Sequence, residues 1–461
     1  MLKKLISAIA MLMVVTVVFC SCDALTFNSA ENLVRPPKLS GDDGALQAAF
    51  ESAISEHGEY ILRYPMAGAY RSAFVRYDCD GDGGDEAFVF YSLKAEEMGI
   101  NMFVFDYADG VWTPKETTPG EGNDIYAIEF SDLNDDGICE ILVGWSSMDS
   151  KSNKKLSVYS SDEAGQAMDY KVLAIESYTS MYPVDLDDDG EKEILLAFIN
   201  STSDTYTTEA RLLKMAPAGT ADYQISAVGQ ISLYSEITSI NAITSGWSNG
   251  KKYVYIDEAA GNSYLTELIY WDDEKHALAT AFPVDMLTVS TCPTSRSLAL
   301  NCADVDKDGE VEIPATTLMQ HSSIVRKSTE PEFANQPDNV YIISWNKYDE
   351  GNFACADRYI SNESDGFRLT YDEELMSDWC VTFYPDENMS QFFRVTISED
   401  LPEGMEKELL FTITAVPADE TVSIGTYLIS GEDVKYTCEI TEAGELEGLS
   451  RNNIVSYFSL I

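Results

Sequence analysis

Short runs of aliphatic and aromatic residues, separated by polar turns, recur along the middle of the chain. Residues 73–77 and 87–91 flank one polar segment, and residues 126–130 and 141–145 flank another in the same way. Runs of about five aromatic and β-branched residues are typical of buried strands and are too short to indicate helices. The pattern therefore predicts pairs of strands that are joined by the polar segments.

A third apolar run follows each pair, and a weaker fourth run follows a polar turn, as at residues 109–113. The third runs lie at residues 102–107, 155–159, 210–214, 265–271 and 339–345. Four short strands in a repeat of roughly 50–60 residues are typical of a β-propeller blade. Since one blade cannot bury both of its faces, we expect the repeats to stack on one another.

The polar segments between the first and second strands share one motif. It has oxygen-bearing side chains at positions 1, 3, 5 and 9 and a glycine at position 6, and its four copies, loops 1 to 4, are residues 78–86, 132–140, 185–193 and 304–312. Alternate residues of a tight loop can direct oxygens to one Ca²⁺, which takes six to eight of them. The glycine permits a backbone turn that a side chain would oppose. Four copies predict a repeated metal-binding unit.

These loops differ from the EF-hand, which needs a bidentate glutamate at position 12 and a helix on each side. The loop flanks read as strands instead. The residues at position 12, none of which can bind a metal, are Val89, Val143, Leu196 and Ala315. Each loop is therefore predicted to join two strands.

A degenerate copy of the repeat lies between loops 3 and 4, which start about two repeats apart. Gly250 takes the place of the loop glycine between apolar runs at 240–244 and 253–256, but the carboxylates are missing. We predict that a two-residue Asn-Gly hairpin replaces the metal loop there. Lys251 and Lys252 add positive charge at this point.

The unit of strand, DxDxDGxxE loop and strand resembles the FG-GAP/VCBS repeats of integrin-type propellers and bacterial surface proteins, over roughly residues 70–350. The resemblance implies up to four Ca²⁺ ions, each bound by the side chains at positions 1, 3, 5 and 9 and by the position-7 carbonyl. The implied ligands are Asp78, Asp80, Asp82, Gly84 and Glu86; Asp132, Asn134, Asp136, Ile138 and Glu140; Asp185, Asp187, Asp189, Glu191 and Glu193; and Asp304, Asp306, Asp308, Glu310 and Glu312.

Two residues are expected to make individual loops differ from the others. Asn134 leaves loop 2 with one carboxylate fewer, so we expect loop 2 to bind the ion least tightly. Pro314, just after loop 4, is expected to interrupt the following strand, because proline cannot donate a backbone hydrogen bond.

The N-terminus predicts export. Two lysines precede an apolar run at residues 5–19, which is shorter than the about 20 residues that a membrane span needs. Residues 19–22 resemble a bacterial lipobox, so residues 1–22 are predicted to be a lipoprotein signal peptide with Cys22 as the lipidated residue. The expected location is outside the cytoplasmic membrane, with the lipid anchor as the only membrane contact. Secretion with cleavage nearby is the alternative.

The composition excludes unaided nucleic-acid binding, because the net charge is −48 and phosphate contacts need a basic surface. A hydrophobic fraction of 45% on 461 residues is ample for a large core, so the acidity does not indicate disorder. The cysteines have no CxxC spacing, and buried free thiols are favoured over disulfides. Cys292 and Cys302 form the one nearby pair that merits a test.

The predicted fold class is mostly β: a β-propeller of about five blades, four of them with calcium loops, followed by a small C-terminal α+β domain. Helical spacing between residues 43 and 56 predicts one helix before the repeats. The expected segments after the signal peptide are a tether at 23–43, a helix and strand lead-in at 44–69, the propeller at 70–362 and the α+β domain at 363–461.

No catalytic residue and no cofactor other than calcium is predicted. The sequence has no G-x-S-x-G, HExxH or P-loop motif, and His57, His276 and His321 lack partners nearby in sequence. We therefore expect a non-enzymatic binding or adhesion-type protein that recognises a protein or a polysaccharide. An enzyme acting on envelope or extracellular glycans and a structural subunit of an envelope assembly are the alternatives. The aromatic residues that could stack on sugars, but that more often lie in a core, are Tyr107, Trp112, Trp145, Trp247 and Trp271.

Overall fold

The computed structural model of the protein describes residues 42–94, 99–147, 150–161, 170–201, 206–217, 223–283, 288–327, 338–398 and 404–461. These residues form a mostly β fold, as the sequence predicts. The predicted signal peptide, Cys22 and nearly all of the predicted tether lie outside the described residues. None of the helices in the described ranges is long and apolar enough to cross a membrane.

Helix α1, Asp42–Ile54, precedes four antiparallel sheets that follow one another along the chain. Sheet 1 contains β1 Tyr60–Leu62, β2 Phe74–Tyr77, β3 Glu86–Leu93, β4 Asn101–Ala108 and β5 Val111–Pro119. Sheet 2 contains β6 Asp124–Ser131, β7 Glu140–Ser147, β8 Ser150–Ser161 and β9 Tyr170–Tyr178. Sheet 3 contains β10 Ser180–Val184, β11 Glu193–Ser201, β12 Tyr206–Pro217 and β13 Tyr223–Ser232. Sheet 4 contains β14 Ser239–Ser248, β15 Lys251–Ala260, β16 Ser263–Asp272 and β17 Ala277–Thr280.

The remaining strands form sheets 5 and 6. They are β18 Ile313–Leu318, β19 Ser323–Ile324, β20 Tyr341–Asp349, β21 Asn352–Asn362, β22 Phe367–Thr370, β23 Trp379–Tyr384, β24 Met389–Ile397, β25 Met405–Pro417, β26 Tyr427–Ser430, β27 Val434–Ile440 and β28 Phe458–Leu460. Sheet 5 has the order β18-β20-β21-β22-β28, and sheet 6 has the order β19-β23-β24-β25-β27-β26. Three short helices lie among them: α2 Glu373–Met376, α3 Glu442–Leu446 and α4 Arg451–Tyr457.

In sheets 2, 3 and 4 each strand pairs with the next one along the chain. In sheet 1, β1 and β2 both pair with β3, β2 with its first half and β1 with its end. In each of these sheets the strand that follows the loop or the hairpin, namely β3, β7, β11 or β15, is covered on both faces. For that reason β3 and β15 are buried over seven consecutive residues and do not alternate between apolar and polar positions. This burial explains the uninterrupted apolar runs in the sequence.

Shared apolar cores join each sheet to the next. Residues of sheets 1 and 2 form one core cluster, two further clusters join sheets 2 to 3 and 3 to 4, and two more join sheets 4 to 5 and 5 to 6. Helix α1 covers the other face of sheet 1 through Leu46, Phe50 and Ile54. Among the core clusters of the described ranges, none joins sheet 1 to sheet 5 or sheet 6.

The last strand of the chain belongs to sheet 5 and not to the C-terminal sheet 6. Strand β22, which follows the predicted boundary at residue 362, belongs to sheet 5 and pairs with the final strand β28. Helix α4 leads directly into that final strand, residues 458–460. Pro314 lies within β18 and does not end it, because β18 is the edge strand of sheet 5.

Candidate functional site

The four loops have the same backbone conformation. The glycine at position 6 has φ values of 90° at Gly83, 86° at Gly137, 96° at Gly190 and 93° at Gly309. A Cβ atom at these glycines would meet no other atom within 4 Å. Glycine is therefore required by the left-handed conformation and not by close packing, as the motif predicts.

The glutamate at position 9 holds each loop closed. Its side chain is buried, and its Oε2 accepts the backbone N–H of position 2. The four N–O distances are 2.7 Å at Cys79–Glu86, 2.9 Å at Leu133–Glu140, 2.8 Å at Leu186–Glu193 and 2.8 Å at Val305–Glu312. Oε1 remains available for a second partner at the centre of the loop.

The aspartate at position 5 is held by the backbone in the same way in every loop. Its Oδ1 accepts the N–H of position 7, at 2.7 Å for Gly84, 2.9 Å for Ile138, 3.0 Å for Glu191 and 3.0 Å for Glu310. In loops 1, 2 and 4 the position-1 aspartate also accepts the N–H of the position-6 glycine. These bonds leave further carboxylate oxygens for a cation.

Three loops bring three carboxylate oxygens within 4.8 Å of one another. The groups are Asp78, Asp80 and Glu86; Asp185, Asp187 and Glu193; and Asp304, Asp306 and Asp308. In loop 2 the Asn134 amide lies among the ligands, and its Nδ2 donates to Asp136 Oδ2 at 2.9 Å. Several acidic clusters could therefore hold a metal ion, and their all-oxygen donor sets suit a hard cation such as Ca²⁺.

The ninth-position glutamates of loops 1 and 2 have raised pKa values. Burial and the surrounding aspartates raise the pKa of Glu86 to about 8 and the pKa of Glu140 to about 7, although one backbone N–H bond to each opposes the shift. A bound divalent cation would offset the repulsion among these carboxylates.

Strand pairing places one more residue opposite each position-9 glutamate, on the neighbouring strand of the sheet. Sequence motifs did not identify this position, which we call the facing position. Its residues, in loop order, are Asp106, Ser160, Lys214 and Lys347. The facing position has an aspartate in loop 1 and a serine in loop 2, whereas it has a lysine in loops 3 and 4.

Sheet 4 has a tight hairpin between its first and second strands, where sheets 2 and 3 have loops 2 and 3. Ser248 pairs with Lys251, and the two residues between them, Asn249 and Gly250, have φ values of 47° and 75°. Two positive φ values are typical of a type I′ turn, for which Asn-Gly is the preferred sequence. The predicted Asn-Gly hairpin is confirmed.

A cleft with a volume of about 240 Å³ lies where strands of sheets 2, 3 and 4 meet. Its aromatic and apolar lining comprises Tyr126, Tyr178, Tyr182, Met181, Ile240 and Ile243. Its charged lining residues are Glu129 and Lys154. The Lys154 ammonium lies 3.9 Å from the centroid of the Tyr126 ring, and burial lowers the pKa of Lys154 to about 8. The cleft therefore combines aromatic faces with one amine and one carboxyl group.

The aromatic residues singled out in the sequence lie elsewhere. Trp112 and Trp145 are buried in the cores, and Tyr107 and Trp271 are partly buried. Trp247 is 41% exposed on β14, with the Lys252 ammonium 5.7 Å from its ring centroid.

Two glutamates, Glu258 on β15 and Glu267 on β16, are diagonal neighbours on adjacent strands inside sheet 4. Both are fully buried, and neither oxygen of Glu258 receives a hydrogen bond from an N–H or hydroxyl group of the described residues. Burial, and then the Glu267 carboxylate, raise the pKa of Glu258 well above its ordinary value, and burial raises the pKa of Glu267 to about 7. Sequence motifs did not identify this pair, because only strand register brings the two residues together.

The seven cysteines of the described ranges are free thiols, Cys292 and Cys302 among them. Cys292 Sγ lies 3.1 Å from Thr294 Oγ1, and Cys302 Sγ lies 3.4 Å from Asp257 Oδ1.

No protein-family model matches the chain, and no curated protein matches its sequence.

The buried glutamate pair predicts a specific dependence of stability on pH. Both pKa values are raised above the unfolded value, so the folded state keeps protons that the unfolded state releases above about pH 4.5. The free energy of unfolding therefore falls as pH rises above that value, by about 1.4 kcal/mol per pH unit for each glutamate that stays protonated. Glu258→Gln removes one titrating group, so the variant should be more stable than the wild type at pH 8 by up to about 5 kcal/mol. The gain should shrink to less than about 1 kcal/mol at pH 5.

Urea denaturation of both proteins at pH 5 and pH 8 measures this difference. The control is Glu445→Gln, an equal change in charge at an exposed position of α3. Parallel pH profiles for the wild type and Glu258→Gln would show that the pair does not retain a proton in the folded state.

Proposed function

We propose that this protein is a calcium-stabilised, exported binding protein that recognises a polysaccharide or a protein through the cleft between sheets 2, 3 and 4. The observation that carries the proposal is the repetition of one oxygen-lined loop in sheets 1, 2 and 3 and before sheet 5, together with a cleft formed where sheets 2, 3 and 4 meet. An ion bound in loop 2 or loop 3 would stabilise the pairing of the two strands that the loop joins, and those strands belong to sheets that line the cleft.

The proposed architecture is the FG-GAP/VCBS type of propeller blade. Sheets 2 and 3 support it, because each has four antiparallel strands with a loop between the first and second strands. The first strands of sheets 2, 3 and 4 contribute to the cleft, as the inner strands of blades do. A five-bladed arrangement would include sheets 1 and 5, with helix α1 covering the outer face of sheet 1.

Calcium is the proposed ion because every implied side-chain ligand is an oxygen donor and the modules of this kind work where calcium is abundant. The residues that would hold it are the position 1, 3, 5 and 9 side chains, together with the position-7 carbonyl. Loops 1, 2 and 3 each join two strands of one sheet, so the binding free energy of an ion there becomes folding free energy. Loop 4 departs from the predicted pattern, because it leads into β18 and is preceded only by the isolated bridge between Ala303 and Glu312. A site at about 100 times its Kd adds roughly 2.7 kcal/mol to stability.

The proposed location is outside the bacterial cytoplasmic membrane, attached through a lipid on Cys22. The lipobox-like residues 19–22 and the apolar run before them support this location. A high negative charge suits an ion-rich exterior and excludes a role in binding nucleic acid.

An enzyme acting on glycans is the second candidate, because Glu258 and Glu267 form a pair of carboxyl groups of the kind that glycosidases use. The pair is fully buried, however, and it does not line the cleft. The cleft itself has a single carboxylate, Glu129, and the three histidines are exposed on the surface. These observations favour binding over catalysis.

The test is binding of the purified protein to a panel of neutral and acidic polysaccharides in millimolar Ca²⁺ and in chelator. We expect Ca²⁺ to raise the melting temperature and to strengthen binding. Tyr126→Ala should weaken binding at least about tenfold, because Tyr126 lines the cleft beside Lys154 and an aromatic ring contributes a large share of the contact energy of a binding site.

Tyr223→Ala is the matched control, since Tyr223 is 40% exposed on β13 and does not line the cleft. Release of reducing ends from a bound polysaccharide would instead favour the enzyme. A melting temperature that is indifferent to calcium would refute the role of the loops.

A further inference from the structure

The Lys214 ammonium lies among the carboxylates of loop 3. Its Nζ is 2.5 Å from Asp189, 2.9 Å from Glu193, 3.0 Å from Asp187 and 3.8 Å from Glu191. The calcium pattern assigns the side chains at positions 3, 5 and 9 as ligands, and all three contact this one ammonium group. The Lys214 side chain is only 17% exposed, so the protein shields most of this contact from solvent.

A second lysine reaches the remaining ligand of loop 3. Lys252 Nζ lies 3.7 Å from Asp185 and 3.9 Å from Asp188. Lys252 belongs to β15 and follows directly on the hairpin that replaces the metal loop in sheet 4. The repeat without a metal loop therefore contributes a positive charge to the loop of the preceding repeat.

Lys347 takes the same position in loop 4. Its Nζ contacts Asp308 and lies 3.3 Å from Asp306, 3.6 Å from Glu310 and 3.7 Å from Glu312. Glu312 Oε1 is buried and has no hydrogen-bond partner in the described part of the chain, so the nearby ammonium charge is what balances it.

Loops 1 and 2 have no such lysine at the facing position. At loop 1 the facing residue is Asp106, which pairs with Glu86 across the strands; its carboxylate is compensated by the Lys115 ammonium at 3.0 Å, so the loop carboxylates themselves receive no lysine from this position. Ser160 provides only a neutral hydroxyl, which donates to Glu140 Oε1 at 2.9 Å. Each of these two loops therefore keeps an excess of negative charge at its centre.

We propose that the facing position decides which loops bind a divalent cation: loops 1 and 2 bind Ca²⁺, whereas Lys214 and Lys347 act as built-in cations in loops 3 and 4. An ammonium group and a divalent cation repel each other, by about 2 kcal/mol at 4 Å even in water, so the lysine must leave before the ion binds. The inference refines the calcium part of the proposed function. It predicts that loop 2 binds Ca²⁺ more tightly than loops 3 and 4 do. This reverses the expectation from Asn134 alone, which would make loop 2 the weakest site.

The test counts bound Ca²⁺ per chain by equilibrium dialysis at a fixed low concentration of free calcium, using the purified protein and its lysine-to-methionine variants. Methionine keeps a long unbranched side chain but removes the charge. We expect two ions in the wild type, three in Lys214→Met, three in Lys347→Met and four in the double variant. Calcium affinity at the altered loop should rise at least about tenfold.

The control variant is Lys275→Met, which removes the same charge from an exposed ion pair with Asp272 and should leave the count at two. Asp106→Lys and Ser160→Lys are the reciprocal variants. Each places a lysine at the facing position of a calcium loop and should reduce the count to one. They also keep the test decisive if a methionine variant fails to fold.

The outcomes separate this inference from the proposed function. A count of two that does not rise in either methionine variant overturns the role of the lysines and leaves calcium binding by loops 1 and 2 intact. A wild-type count of four, unchanged in Lys214→Met and Lys347→Met, overturns it as well. A wild-type count of zero with a gain of one in each methionine variant supports the lysine inference and refutes calcium binding by loops 1 and 2.

Discussion

Phe50→Ala is expected to reduce the free energy of unfolding by about 3–5 kcal/mol, because it removes a large, fully buried ring between helix α1 and sheet 1. The Phe50 ring lies 5.1–6.3 Å, centroid to centroid, from the rings of Tyr60, Tyr91, Phe74, Phe103 and Phe105. A methyl group cannot fill the resulting cavity. Urea denaturation in saturating calcium, so that the loops stay folded, measures the loss.

The control on the same helix is Glu51→Ala, an exposed position where a change within about 0.5 kcal/mol is expected. A loss below about 1 kcal/mol for Phe50→Ala would contradict the packing of α1 on sheet 1. That packing matters for the architecture, because α1 covers the face of sheet 1 that is turned away from sheet 2.

Arg296→Met is expected to be equally damaging, at about 3–5 kcal/mol, because it leaves the Asp257 carboxylate buried without its counter-charge. Arg296 Nη2 lies 2.8 Å from Asp257 Oδ1, and the two side chains are 1% and 0% exposed. Arg296 also donates to Thr266 Oγ1 at 2.9 Å. The loss should appear as a lower midpoint of urea denaturation.

Adding Asp257→Asn to Arg296→Met should recover part of the stability, because the amide has no charge and its oxygen can still accept the Cys302 N–H, which lies 2.8 Å from Asp257 Oδ2. Equal stability of the single and double variants would show that the unpaired charge is not the cause. The pair lies in sheet 4, the repeat without a metal loop, where it links β15 to residues 294–302.

Local sequence patterns predicted the parts of the structure that depend on a few consecutive residues. The glycine at position 6 of each loop could be explained from the sequence, since a left-handed φ near 90° is needed whatever surrounds it. The same is true of Asn249 and Gly250, whose preference for a type I′ turn is local. The second strands were recognisable because burial on both faces removes the polar positions.

The lysines of loops 3 and 4 were missed because their role depends on strand register. Lys214 and Lys347 follow their loops along the chain at different distances, 21 and 35 residues after Glu193 and Glu312. Only the pairing of neighbouring strands shows that both occupy the same position. A spacing rule could have found Asp106 and Ser160, each 20 residues after the glutamate that it faces, but not the lysine of loop 4.

The loop conformation, the hairpin of sheet 4 and the predominance of strands could be predicted, since each of these follows from residues close together in the chain. Which charges meet depends on the tertiary structure. It placed Lys214 and Lys252, from two different sheets, at the same loop. It also buried Glu258 against Glu267 and formed the cleft from three sheets. Electrostatic energy depends on distance in space, and a local pattern contains no information about residues that only folding brings together.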